Sequence, residues 1–187
     1  MLIDLTLHLT SDHPARSTMN QRDAALAQSG HFGTHLDRHG GSAIPLEYIK
    51  GRGILADITG AQGEIAADMV SALPLLPGDF VFFRTGELER LGYGTPEYNA
   101  SGPVFSWESV SVLTTRRVRF VGLDIRGLRK GDEHNKADLI CEAGGVFVIE
   151  NLDKLSLLPA MTPFQVYSMW FEREGSGLPC RVVAELP

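Results

Sequence analysis

The chain has 187 residues, with 43% apolar and 21% charged side chains and a formal net charge of −6. This suits one folded domain over residues 1–187 and argues against disorder. The acidic balance argues against a nucleic-acid partner, which needs concentrated Lys and Arg. The short cluster Arg116, Arg117 and Arg119 reads as a solvated edge.

Residues 2–9 alternate apolar and polar side chains, which predicts a strand. Residues 20–29 predict a short helix ended by Gly30. The run from Ile44 to Gly51 predicts a helical turn closed by Gly51, with a strand starting at Gly53. Residues 66–72 read as another helical turn, and Pro77, Gly78 and Asp79 as a tight turn. Phe80 to Arg84 is a compact apolar strand. Residues 87–101 are rich in Gly, Tyr, Pro, Asn and Ser and read as an irregular loop. A helix start follows over 108–113, then a strand over 118–124, a polar loop over 126–137 and a helical stretch over 139–143. Residues 146–150 predict a buried strand, and 167–172 and 180–185 two final strands. Strands separated by short helices predict an α+β or α/β fold with a mixed sheet.

Cys141 and Cys180 form no CxxC pair and suggest no disulfide scaffold. The opening MLIDLTLHLTSD lacks the basic region of a signal peptide. No apolar run approaches the ~20 residues of a membrane span. The expectation is a cytoplasmic protein with no membrane partner.

The chemistry concentrates in HFGTHLD, residues 31–37. Three of the six histidines fall within residues 31–39, together with Asp37. Imidazole and carboxylate donors suit zinc or manganese, and no thiolate nearby argues for a structural zinc. In an extended strand His35 and Asp37 share a face, with Cα atoms ~6.6 Å apart, so both can reach one ion. His31 and His35 would stand ~13 Å apart in a flat strand, too far to share it. Glycine adopts backbone angles that bend a strand, so a kink at Gly33 should fold His31 back toward His35. A helix is disfavoured by Gly33 and Thr34. A single histidine here would be better read as structural; the cluster is what points to a metal.

HFGTHLD resembles the HxGTHxD signature of the putative cyclase family, which includes bacterial kynurenine formamidases and isatin hydrolases. The likeness continues through Asp4 to Thr6, IPLEYIKGRGILADI, PGDFVFFRTG, FVGLDIRGL, VFVIENLDKL and CRVVAELP. It implies a mixed-sheet swivelling β/β/α fold, dimeric or tetrameric, with a divalent metal, zinc first and manganese second. It carries the metal ligands onto His31, His35, Asp37 and Glu150. A charge on a buried strand is costly, and a metal would explain Glu150. A solvent-facing Glu150 is the other reading, kept open by the polar Asn151 after it.

Two departures matter. The family motif continues as HxGTHxDxPxH, but here His39 stands at the proline position and Gly41 at the final histidine. A loop shorter by two residues gives the catalytic role to His39; a strict register leaves that role empty. The first reading is preferred, because the stretch before IPLE is short and the proline is missing. The family's second-metal histidine falls on Asp138, with His134 four residues earlier, so these two are the candidates for a second ion.

The implied reaction is hydrolysis of an amide in a small-molecule substrate, N-formylkynurenine or a relative. Metal-activated water would attack, and His39 would move the proton. The alternatives are a cyclic-amide hydrolase, a cyclase or dehydratase, or a non-catalytic descendant that binds or assembles. Phe32, Phe83, Tyr93 and Trp107 are candidate aryl contacts, each better read as core. His8 reads as structural, His13 as solvated, and Asp124 as the brace of a turn.

Overall fold

Apolar runs rich in Val, Ile, Leu and Phe form the central sheet, in keeping with their fit to a pleated surface. The computed structural model describes residues 1–17 and 21–187. Its strands are β1 (Leu2–Asp4), β2 (His35–Asp37), β3 (Lys50–Asp57), β4 (Glu64–Ile65), β5 (Phe80–Arg84), β6 (Val104–Phe105), β7 (Phe120–Leu123), β8 (Phe147–Glu150), β9 (Phe164–Trp170) and β10 (Gly177–Glu185). Its α-helices are α1 (Pro14–Ser17), α2 (Gln21–Gln28), α3 (Ala67–Ser71), α4 (Glu87–Leu91), α5 (Pro96–Ala100), α6 (Trp107–Thr115) and α7 (His134–Ala143).

The main sheet runs β1-β10-β2-β8-β7-β5-β3-β9, and β9 also pairs with β10. That pairing closes seven strands into a barrel and leaves β1 outside the ring. The contiguous strands β3, β5, β7 and β8 are parallel, while β10 pairs antiparallel with β1, β2 and β9. The fold is mixed α/β, a barrel flanked by helices.

Alternation along the strands sorts side chains into two apolar layers. Leu36, Phe80, Phe82, Phe120, Phe147 and Ile149 belong to one cluster. Val81, Phe83, Val121, Leu123 and Val148 belong to the other, with Val110 and Leu113 of α6 and Ala137 and Cys141 of α7. The second layer therefore lies between the sheet and its helices. Glu150 shares the parity of Val148, so it faces the helices.

Several expected boundaries move. The opening strand ends at Asp4, because its carboxylate accepts from the Thr6 N–H and the Thr34 hydroxyl accepts from the Leu7 N–H. Asn20, first in the expected helix 20–29, lies outside the described residues. β3 begins at Lys50 and runs through both Gly51 and Gly53, the expected boundaries. A Cβ at Gly51 would lie 2.6 Å from the Phe80 ring, and one at Gly53 2.4 Å from Val166, so the glycines make room for neighbours.

Residues 87–101 are not irregular but form α4 and α5. The Thr95 side chain accepts from the Tyr98 N–H and Pro96 opens α5, a strong helix start. The expected polar loop 126–137 ends at His134, where α7 begins. That helix buries Asp138 and Glu142 beside Ala137 and Cys141 and exposes Leu139 and Ile140, so carboxylates interrupt its apolar stripe. Among the described residues, no helix is long and apolar enough to cross a membrane.

Candidate metal centre

The backbone turns at Gly33, where φ is +69°, a conformation open to glycine and strained for other residues. The turn brings His31 back over β2, as its spacing predicts. His31 Nδ1 lies 3.1 Å from His35 Nε2 and 3.0 Å from Asp37 Oδ1, and His35 Nε2 lies 3.4 Å from Asp37 Oδ1. Each ring is fixed from behind. His35 Nδ1 donates to the Gly33 carbonyl at 2.9 Å, and His31 Nε2 meets Ser176 Oγ at 2.8 Å. Four-coordinate zinc with bonds of ~2.0–2.1 Å places its donors roughly 3.3 Å apart, close to this spacing.

Pairing of β2 with β8 sets His35 opposite Glu150, and Glu150 Oε2 lies 3.5 Å from His35 Nε2. Glu150 is 3% exposed, so it does not face solvent. Helix α7 closes the other side with His134 and Asp138 one turn apart. His134 Nε2 lies 3.1 Å from Asp138 Oδ2, 3.4 Å from Glu150 Oε1 and 3.8 Å from Asp37 Oδ2. His39 stacks on His31 with ring centres 5.5 Å apart, and its Nε2 lies 3.6 Å from Asp138 Oδ2. Two donor sets result, His31–His35–Asp37 and Asp37–His39–His134–Asp138, each with its donor atoms within 4.8 Å. Asp37 is common to both, one oxygen toward each set.

The charges are tightly coupled. Burial alone would lower His35 and His134, but the carboxylates reverse this. Asp37, with Glu150, raises His35 to about 9; Asp138 and Asp37 raise His134 to about 11. Burial, with the charge of Asp37, raises Glu150 to about 8. Burial also raises Asp138, whereas the surrounding histidines overcome burial and hold Asp37 well below the usual carboxylate range. Both oxygens of Asp37, both of Asp138, Glu150 Oε1 and His39 Nε2 are buried without a hydrogen-bond partner. Buried polar atoms are rarely left so. Hard oxygen and imidazole donors left unsatisfied around one point fit a divalent cation.

The sequence-predicted residues His31, His35, Asp37, His39, His134, Asp138 and Glu150 are thus brought together. His134 reaches the cluster from the first turn of α7, not from a flexible loop. Sequence reasoning missed the supporting shell. Asn151 (φ +58°) donates from Nδ2 to the Gly33 carbonyl at 2.9 Å, accepts from the Tyr98 hydroxyl at 2.7 Å, and its carbonyl accepts from Thr34. It is 2% exposed, so its polarity signals a buried network rather than solvent. The asparagine directly after Glu150 was the available signal. Nothing in the sequence marks Ser176.

The remaining candidates separate. Phe83 is core. Trp107 lies under Arg129 and Lys136 on the helical side. Phe32 and Tyr93 form an edge-to-face pair, and the Tyr93 hydroxyl accepts from the Gly33 N–H at 2.8 Å, beside the centre. Asp124 does brace a turn, accepting from the Thr85 N–H and hydroxyl and the Gly86 N–H. His13 is only half-buried and accepts from the Ala15 N–H.

A buried His/Asp/Glu cluster outside a closed barrel defines a candidate metal-dependent enzyme. The sequence profile of the putative cyclases matches residues 3–128, and the chain belongs to that family. Isatin hydrolase A from Labrenzia aggregata, bound to benzyl benzoate, has the same fold, with a TM-score of 0.75 at 19% identity over 98% of this chain and 93% of that one. Isatin hydrolase A from Ralstonia solanacearum gives 0.75 at 19%, over 98% and 91%. A protein described as a potential metal-dependent hydrolase with cyclase activity gives 0.74 at 20%, over 100% and 99%. No curated protein matches the chain.

Proposed function

We propose that this chain is a divalent-cation-dependent hydrolase of an amide bond, of the arylformamidase kind, acting on N-formylkynurenine or a related small molecule. The observation that carries this is the buried convergence of His31, His35 and Asp37, with both Asp37 oxygens unsatisfied. His31, His35, Asp37 and Glu150 would hold the ion, with His134 and Asp138 available to a second. Nitrogen and oxygen donors favour zinc, with manganese as the alternative. Such an ion, when bound, acidifies water and offsets charge on a carbonyl oxygen.

The chain's own residues supply the rest. The Gly33 carbonyl and Ser176 aim the two imidazoles. His39, stacked beside His31, accepts the proton of the attacking water and returns it to the leaving nitrogen, a task suited to imidazole. Phe32 and Tyr93 offer an aromatic wall. Family membership also supports the swivelling β/β/α description and self-association as a homodimer or homotetramer, which light scattering would test.

A cyclic-amide substrate is the second reading, favoured by the likeness to isatin hydrolases. Metal analysis with turnover of N-formylkynurenine against a panel of lactams separates the two. A protein that takes up no divalent ion, or turns over neither class, would overturn both.

A further inference from the structure

We infer that Glu142 is a positioning residue that holds His39 in the site. The inference rests on the reading above, in which His39 moves the proton. His134, Asp138 and Glu142 recur every four residues on α7, so they share one face of the helix. The first two enter the cluster. The third, 5% exposed, turns its carboxylate to the loop that follows β2. Glu142 Oε2 accepts from the Gly40 N–H and Oε1 from the Ser42 N–H, both at 2.7 Å. These are short, charge-assisted bonds of the strong kind.

The loop is built to receive that carboxylate. A Cβ at Gly40 would lie 2.9 Å from Glu142 Oε1, so only glycine lets the carboxylate in unmoved. Residues 40–45 carry no regular structure, and Gly41 sits at φ +71°. His39, immediately before the clamp, has no hydrogen bond on Nε2 and is located by ring contacts with His31 and His134. Its place beside Asp138 therefore depends on where Glu142 fixes the backbone. One helix supplies both Asp138, which faces His39, and the clamp that presents His39 to it.

The test uses the zinc-loaded 187-residue chain with 15N-labelled histidines, His39 being assigned by its loss in His39→Ala. Glu142→Ala removes both acceptors and Glu142→Gln keeps one. Gly40→Ala crowds the carboxylate without altering it, and carries the test with Glu142→Gln if Glu142→Ala does not fold. The His39 ring signals should shift and broaden in Glu142→Ala and Gly40→Ala, less in Glu142→Gln, while those of His31 and His35 stay. On any substrate the parent turns over, kcat should fall on the order of ten- to a hundredfold with KM nearly unchanged. Unmoved His39 signals in folded Glu142→Ala and Gly40→Ala would overturn the inference. Absence of turnover in the parent would instead strike the hydrolase reading, while the His39 signals still decide the role of Glu142.

Discussion

The imidazole of His35 donates from Nδ1 to the carbonyl of Gly33 at 2.9 Å. A carbonyl can only accept, so Nδ1 carries a proton and Nε2 is the atom left for Asp37, Glu150 and a cation. The residue that bends the chain is thus also the one that orients the ring. That carbonyl also receives Asn151 Nδ2, so bend and network are one unit.

Gly33→Ala should damage the centre without touching a ligand. A Cβ there would meet Leu9 Cδ1 at 2.8 Å, and the left-handed backbone costs a non-glycine residue about 1–2 kcal/mol. Zinc affinity, measured by titration calorimetry, should fall about tenfold or more for a loss of ~1.4 kcal/mol. Unchanged affinity would show that the bend does not gather His31 and His35.

Asn151→Ala should destabilise the fold by about 1–3 kcal/mol, the sum of two buried hydrogen bonds, leaving the Gly33 carbonyl with His35 Nδ1 alone and the Tyr98 hydroxyl with the Asp124 carbonyl alone. Urea unfolding with the ion chelated reads this directly. A midpoint equal to the parent's would mean that water replaces the amide.

The chelated protein should lose stability as pH rises. Stability from His35 and His134, held at about 9 and about 11, is fully present below the ordinary histidine value of 6.5 and lost as pH climbs through those values. Glu150, raised from 4.5 to about 8, adds a loss over that interval. A cation needs these groups without their protons, so its binding should tighten over the same range and release protons. Thermal melts from pH 6 to pH 9, with zinc and with chelator, should diverge as pH rises; parallel curves would count against a cation at these groups.

His39→Ala should leave one ion per chain and lower kcat on the order of 10²–10⁴-fold, the usual worth of a proton-transfer group. His134→Ala and Asp138→Asn should remove a second equivalent of ion, where the parent binds two. Metal content after gel filtration distinguishes the cases. A His39→Ala protein with parental turnover would clear that residue of the role.

Much of the centre was legible because glycine and alternation are local rules. Gly33 announced a bend, and the two-residue spacing of His35 and Asp37 announced a shared face. Glu150 was readable only through the family likeness, since nothing local says which strand lies beside β2. Helix α7 was half-hidden because its buried face carries Asp138 and Glu142 as well as Ala137 and Cys141, so buried carboxylates broke up the usual hydrophobic signal. Thr95 and Pro96 did announce a helix start, but the surrounding Gly, Asn and Ser outweighed them. The clasp of Glu142 on residues 40–42 spans a hundred positions, and no periodicity reports a contact of that kind.

Strand β2 is only three residues long, with Leu36 wholly enclosed between Ile149 and Leu178. Sliding it by one position would thrust Leu36 among the carboxylates and drive an imidazole into hydrocarbon. Leu36 therefore acts as the key in a keyway, indexing the two polar side chains beside it. Changes of length should be harshly selected against between residues 33 and 37, even where they spare every donor atom.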